Sequence, residues 1–186
     1  MSTKTRTATQ PKLARWPKAA TPRLIKKPKQ KMAVVVSHGD PNVVGSKVFP
    51  ALYGAVFTHK FALKKAGKET FKVEPPRARW TDLPGTPKDQ WTGIWGIPIP
   101  ANTRKLPQKD PEVEVKIETW QYGTVAEILH LGPFSEEGPT VTRLHEFIAA
   151  NGYEIAGSHE EEYLTRPTAK VMKTVIRYPV KKKSLG

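Results

Sequence analysis

The chain has 186 residues, of which 38% are hydrophobic and 18 are proline, with no cysteine and a formal net charge of +14. That length suits one domain with a short appended segment, and the missing cysteine excludes disulfides, thiolate metal sites and cysteine nucleophiles. No run approaches the roughly 20 apolar residues of a membrane helix, and none near the N-terminus reads as a secretory signal, so the expectation is a cytoplasmic protein without a membrane partner.

Residues 1–31 hold ten Lys or Arg and no acid; the rest of the chain has 21 basic against 17 acidic residues, a net of +4. That residual charge is ordinary for a soluble domain. Pro11, Pro17, Pro22 and Pro28 punctuate the basic segment, and no apolar periodicity runs through it. It is expected to be a disordered basic tail over 1–31. Three readings of it stay open: a plain solvated tail, a non-specific contact for nucleic acid or another anionic surface, or a targeting peptide.

Order is expected from Met32, where the β-branched run to Val36 predicts a strand. The turn at His38-Gly39-Asp40-Pro41-Asn42 leads to a helix over about 46–65, with Phe49, Leu52, Tyr53, Val56 and Phe57 at helical spacing and Gly67 as its stop. Pro50 fits only its first turn. Phe71 to Trp80, broken by Pro75-Pro76, predicts an edge or bent strand. Trp91 to Ile99 predicts another, with Trp91, Gly93, Trp95 and Ile97 on one face. A polar connector covers residues 101–111.

The same grammar then recurs. Val113, Val115 and Ile117 alternate with charged residues in one strand, and Thr124 to Leu131 forms the next. Pro133 to Pro139 is a loop. A helix follows from Thr140, as cap, to Asn151, with Val141, Leu144 and Ile148 on one face and Gly152 closing it. Tyr153 to Leu164 and Val171 to Val180 complete the strands. The expected class is therefore α+β: a domain over 32–181 made of two pseudo-symmetric βαββ repeats, about 32–100 and 112–181, with a groove between them. An exposed edge strand permits a homodimer as well as a monomer.

Strand parity puts His159, Glu161 and Tyr163 on one face and Glu160 and Glu162 on the other. The first face is the more apolar, so Glu161 is expected to look inward. A carboxylate there can pair with a cationic ligand, orient a donor or act as a general base; alternatively it meets a Lys or Arg at the surface. Trp80, Trp91, Trp95, Trp120 and Tyr122 fall in or beside strands, either as core and rim or as stacking surfaces for a flat ligand. His130 and His145 are expected to cap or pack. Neither His38-x-Asp40 nor His159-Glu160 has metal-binding spacing, and there is no phosphate-cradling Gly loop, G-x-S-x-G or helix-turn-helix signature. No metal and no cofactor are expected.

The words "YGTVAEILHLGPFSEEGPTVTRLHEFIAANGYEIAGSHEEEYL" and "KTVIRYPV", with "GDPN", "ALYGAVFTHKFALKK" and "PKDQWTGIWGIPIP" upstream, resemble the stand-alone branch of the GyrI-like small-molecule-binding domain family. The resemblance covers most of residues 33–180. It implies two SHS2-type βαββ repeats around a ligand groove. Relatives are effector-binding domains of multidrug-responsive regulators, one counters a DNA gyrase poison, and some stand-alone members hydrolyse cyclopropane-bearing, DNA-alkylating natural products. The family's Glu-x-Tyr motif maps onto Glu161 and Tyr163, and its groove aromatics onto Trp80, Trp91, Trp120, Tyr122 and Tyr53. Where the branch often has a "PLEGLWW"-like stretch, this chain has "VEPPRARW", and Phe57 stands where Tyr is common.

The residues and the resemblance together predict a binding protein for an aromatic or cationic xenobiotic, for sensing, sequestration or toxin resistance. The alternatives are a hydrolase of strained electrophilic rings, with Glu161 as general base and Tyr163 or Tyr122 orienting water, and a nucleic-acid-associated protein acting through its tail.

Overall fold

The computed structural model describes residues 21–81 and 85–184; residues 1–20, most of the expected tail, lie outside the described residues. The fold is mixed α+β. Its first strand, β1 (Arg23–Lys27), corrects where order begins, because it lies inside the segment expected to be tail. It pairs with β6 (Gly123–Leu131) along Arg23↔Glu127 to Lys27↔Gly123. Leu24 and Ile25 supply the reason: one packs on each face of the sheet, and the Glu127 carboxylate meets Arg23 at 2.7 Å. Four basic neighbours hide this two-residue apolar signal in the sequence.

Strand β2 (Gln30–His38) leads into helix α1 (Pro41–Lys65). The helix starts at Pro41 rather than Ser46, because Asp40 caps it by accepting the Asn42 N–H at 2.8 Å and Pro41 occupies the first turn. Pro50 sits well inside the helix, on its exposed side. At the far end Gly67 (φ 66°) turns left-handed, and the N–H groups of Gly67 and Lys68 bond back to Lys64 and Leu63. That is the glycine stop the sequence predicts.

Strand β3 (Arg77–Trp80) is short, and it is central rather than at an edge. The two prolines end just before it, so all four residues can bond on both sides, to β4 (Thr92–Pro98) and to β8 (His159–Tyr163). Strand β5 (Lys116–Trp120) begins later than expected. The Val115 backbone is bonded on both its N–H and C=O to the Gln108 side chain, at 2.8 Å each, which holds it in the connector.

Helix α2 (Gly138–Ala150) begins before Thr140, whose hydroxyl bonds His130 instead of capping. The single strand expected over 153–164 is two, β7 (Tyr153–Ile155) and β8. The chain steps out between them, where Gly157 faces Pro179: a Cβ on Gly157 would lie 2.8 Å from the proline ring. Strand β9 (Lys173–Lys182) receives both.

The sheet is antiparallel in the order β1-β6-β9-β8-β3-β4-β2-β5, with β7 also on β9. Both helices pack on one face. Under α1 lie Val48, Leu52 and Val56 against Ala33, Val35, Trp95 and Ile97; under α2 lie Leu144 and Ile148 against Ile128, Ile176 and Tyr178. Fully buried Leu52, Val56 and Leu144 each contribute about 1.5–3 kcal/mol. The opposite face buries Met32, Val34, Trp120, Tyr122 and Val125. Among the described residues no helix is long and apolar enough to cross a membrane.

Candidate functional site

The two faces of the central strands treat their charges in opposite ways. Away from the helices, a row of alternating sign crosses five strands in register: Arg23, Glu127, Arg177, Glu160 and Arg79. Successive members are 2.7–2.9 Å apart. Arg177 also meets Glu162 at 2.8 Å, and Arg77 meets it at 3.3 Å. Burial would raise the Glu162 pKa, but the Arg77 and Arg177 guanidiniums outweigh it and hold the carboxyl below its usual value. Burial alone pushes against a charged Arg177, yet Glu162, Glu160 and Glu127 more than offset it. Each of these three glutamates is thus held by two arginines.

Glu161, between two of those glutamates in sequence, points to the helix side and is 7% exposed. There it lies beside His159, whose Nε2 is 3.1 Å from Glu161 Oε1 and whose Nδ1 is 2.7 Å from the Tyr178 hydroxyl. Glu137, just ahead of α2, completes the group: one donor atom from each of Glu137, His159 and Glu161 falls within 4.8 Å of the other two. His130 fixes the loop that delivers Glu137. Its Nε2 donates to the Pro133 carbonyl at 3.0 Å, and its Nδ1 is hydrogen-bonded to the Thr140 hydroxyl at 2.9 Å.

Among the described residues, no Lys or Arg is salt-bridged to Glu137 or Glu161; His159 is the ion-pair partner of Glu161. The consequences show in the titrating groups. Burial, then the Glu161 charge, pushes the Glu137 carboxyl up to about 7. Burial acts to lower the His159 pKa, but the hydrogen bond and charge of Glu161 prevail and raise it. The Tyr163 hydroxyl is driven well up by burial and then by Glu161, and Tyr178 is pushed up to about 12 by burial and then by Glu137 and Glu161.

Aromatic rings wall this group. Trp80 lies 5.5 Å from Trp91 and 5.1 Å from Trp95; Tyr163 lies 6.5 Å from Trp95 and 5.5 Å from Phe134. Phe49 of α1 packs on Trp95 at 5.2 Å and links Tyr53, at 6.4 Å, to the wall. Gly93 is required by this packing, since a Cβ there would sit 2.6 Å from Trp95 Nε1 and 2.9 Å from the Trp80 ring. The indoles of Trp91 and Trp95 donate to Thr86 O and Ser37 Oγ.

Glu161, Tyr163, Trp80 and Trp91 therefore come together, with Tyr53 adjoining through Phe49. Trp120 and Tyr122 do not, which corrects their expected place in the groove. Both lie on the opposite face: the Arg79 guanidinium covers Trp120 at 3.9 Å, and the Tyr122 hydroxyl bridges Arg77 (2.9 Å) and Glu160 (3.1 Å). Tyr122 is too far from Glu161's face to orient water for it. The sequence reading missed Glu137, Phe134 and Phe49 as site residues, and the family resemblance left Trp95 out of the groove although it shares the strand face of Trp91. Two surface hollows, of about 350 Å³ at Val35, Val44 and Val113 and about 900 Å³ at His59, Phe71 and Thr103, lie elsewhere; neither touches Glu161. The aromatic wall is packed on itself, with Phe134, 40% exposed, at its rim.

Known proteins share both the sequence pattern and the fold. The model of the GyrI-like small molecule binding domain matches residues 20–181. An uncharacterized conserved protein from Listeria innocua is similar at 27% identity and a TM-score of 0.76, over 87% of this chain and 92% of its own. A hydrolase from Listeria innocua is similar at 26% identity and 0.72, over the same shares. The C-terminal domain of EcmrR shares the fold at 13% identity and 0.61, over 88% of this chain and 99% of its own. No curated protein matches the chain significantly.

Proposed function

The chain belongs to the GyrI-like small molecule binding domain family, and from that premise we propose that it binds an aromatic small molecule bearing a positive charge or hydrogen-bond donor, between its two helices. The ligand's ring lies against Trp80, Trp91 and Tyr163, and its charge or donor meets Glu161. One observation carries this reading: on β8, Glu160 and Glu162 are each neutralised by arginine, whereas Glu161, equally buried, has no arginine and is surrounded by rings. A carboxylate in an aromatic box whose ion-pair partner is the titratable His159, with no arginine, selects for a cation or donor, and stacking supplies the rest of the affinity. The runs β2-α1-β3-β4 and β6-α2-β8-β9 we read as pseudo-symmetric repeats, since in each the third strand lies between the first and second. Their second strands, β3 and β8, meet beneath the site. The test is a tryptophan-fluorescence titration with flat cationic dyes. Loss of one charge-assisted hydrogen bond in Glu161→Gln, about 1.5–3 kcal/mol, weakens binding by about tenfold or more; dyes that bind the variant unchanged would sink the assignment.

A second reading is favoured by the likeness to a hydrolase at 26% identity. In it, Glu161 takes a proton from water as the water oxygen attacks a strained ring carbon. The ring bond breaks, its electrons pass to a conjugated carbonyl oriented by Tyr163, and that carbonyl takes up a proton. Turnover of a cyclopropane-bearing alkylator beyond one equivalent, lost in Glu161→Gln, supports it; protection that stops at one equivalent rules it out.

A further inference from the structure

The Glu137, His159 and Glu161 cluster contains more lone pairs than the described residues satisfy. Glu137 Oε2 is buried and has no hydrogen-bond partner. A buried acceptor left without a donor costs about 1–3 kcal/mol. A proton on His159 Nε2 serves Glu161 and leaves Glu137 Oε2 as it is. The neighbouring charge row shows that this sheet supplies arginines where carboxylates are to be neutralised from within, and here none is salt-bridged.

The group has the parts of a metal site. One imidazole nitrogen and two carboxylate oxygens come from three positions held by different means: a strand fixes His159 and Glu161, and the loop pinned by His130 presents Glu137. His159 Nε2 and Glu161 Oε1 are already 3.1 Å apart. Ligand atoms on a tetrahedral Zn²⁺ with bonds of about 2.0–2.1 Å lie about 3.3 Å from one another. Only the Glu137 side chain needs to close in. A ligating histidine usually donates its other ring N–H to a partner, and Tyr178 stands at 2.7 Å from Nδ1. A hydroxyl both donates and accepts, so Tyr178 serves either tautomer and frees Nε2 for a metal.

We propose that Glu137, His159 and Glu161 bind one divalent first-row cation, leaving a fourth position for a ligand atom among the surrounding rings. Two carboxylates and one imidazole suit Zn²⁺ or its neighbours over the softer metals that thiolates select. The inference shares Glu161 with the proposed function and does not depend on it. It changes the ligand's chemistry: with the cation in place, the site takes a phenolate, carboxylate or carbonyl oxygen instead of a positive charge.

The experiment uses the full chain, stripped with chelator and free of any histidine tag. Zn²⁺ is titrated against a chromophoric chelator, and Co²⁺ binding is followed by its visible spectrum. One equivalent should bind, with affinity falling by about tenfold or more in Glu137→Gln and in His159→Gln. Two substitutions are used so that poor folding of one, checked by circular dichroism, leaves the other informative. Absence of stoichiometric binding, or binding that both variants leave unchanged, overturns the proposal. The dye titration is run in parallel in chelator. Dye binding without Zn²⁺ binding refutes the cation site and leaves the groove reading standing; Zn²⁺ binding without dye binding supports the cation site and refutes the cationic ligand.

Discussion

Replacing Glu137 by Gln should flatten the protein's stability between about pH 5 and pH 8. The Glu137 carboxyl titrates near 7 in the folded chain, against an ordinary value of 4.5, because it is buried and faces Glu161. The folded state therefore holds this proton more tightly than the unfolded one. Stability it lends is fully present below the unfolded value and is lost as pH rises through the folded one. The difference corresponds to about 3 kcal/mol as a ceiling, and partial exposure of the group reduces it to about 2 kcal/mol. For a chain of this size that is a fall in Tm of about 4–8 °C on going from about pH 5 to pH 8. His159 adds to the slope in the same direction, since its folded value is also raised. Thermal melts across this range, in chelator, should show Glu137→Gln losing most of the slope and standing above the parent at the alkaline end. A variant whose slope equals the parent's would refute the pairing of Glu137 with Glu161 in the folded chain.

The packing makes further outcomes predictable. Arg177→Met leaves Glu127, Glu160 and Glu162 buried without the cation they share, and should cost about 3–5 kcal/mol in urea melts, while Arg23→Met, at the partly exposed end of the row, should cost far less. Gly93→Ala drives a methyl into the Trp80 and Trp95 rings and should cost about 1–3 kcal/mol, with a changed near-ultraviolet tryptophan signal. If the basic N-terminus contacts nucleic acid, deletion of residues 1–20 should abolish a steeply salt-dependent binding; binding that survives the deletion belongs to the folded domain.

Much of the fold is legible in periodicity. The two helices and most strands fall where alternating or helical spacing puts them, because each element buries one face. The misplacements have local causes. Strand β1 is hidden because its two apolar residues are flanked by Arg and Lys, whose charge is answered by Glu127, a residue about a hundred positions later. The prolines before β3 suggest an edge strand, yet they stop where pairing begins. For the site, parity separates Glu161 from Glu160 and Glu162 correctly, and the Arg77-Ala78-Arg79 and Glu160-Glu161-Glu162 words already carry the register that pairs them. Trp120 and Tyr122 are misplaced because tryptophan and tyrosine also suit the roof over a half-buried arginine, and no local pattern tells that role from a ligand wall. Glu137 has no sequence signal at all: it reaches Glu161 only through the fold of the loop ahead of α2.

The central claim is that ligand meets the chain on the helix side of the sheet, at Glu161. The most direct measurement is the affinity of the best dye for the parent, for Glu161→Gln and for Tyr122→Phe, the last altering the opposite face. The account predicts a loss of about tenfold or more for Glu161→Gln and none for Tyr122→Phe. Equal affinities for the parent and Glu161→Gln, or a loss confined to Tyr122→Phe, would contradict it.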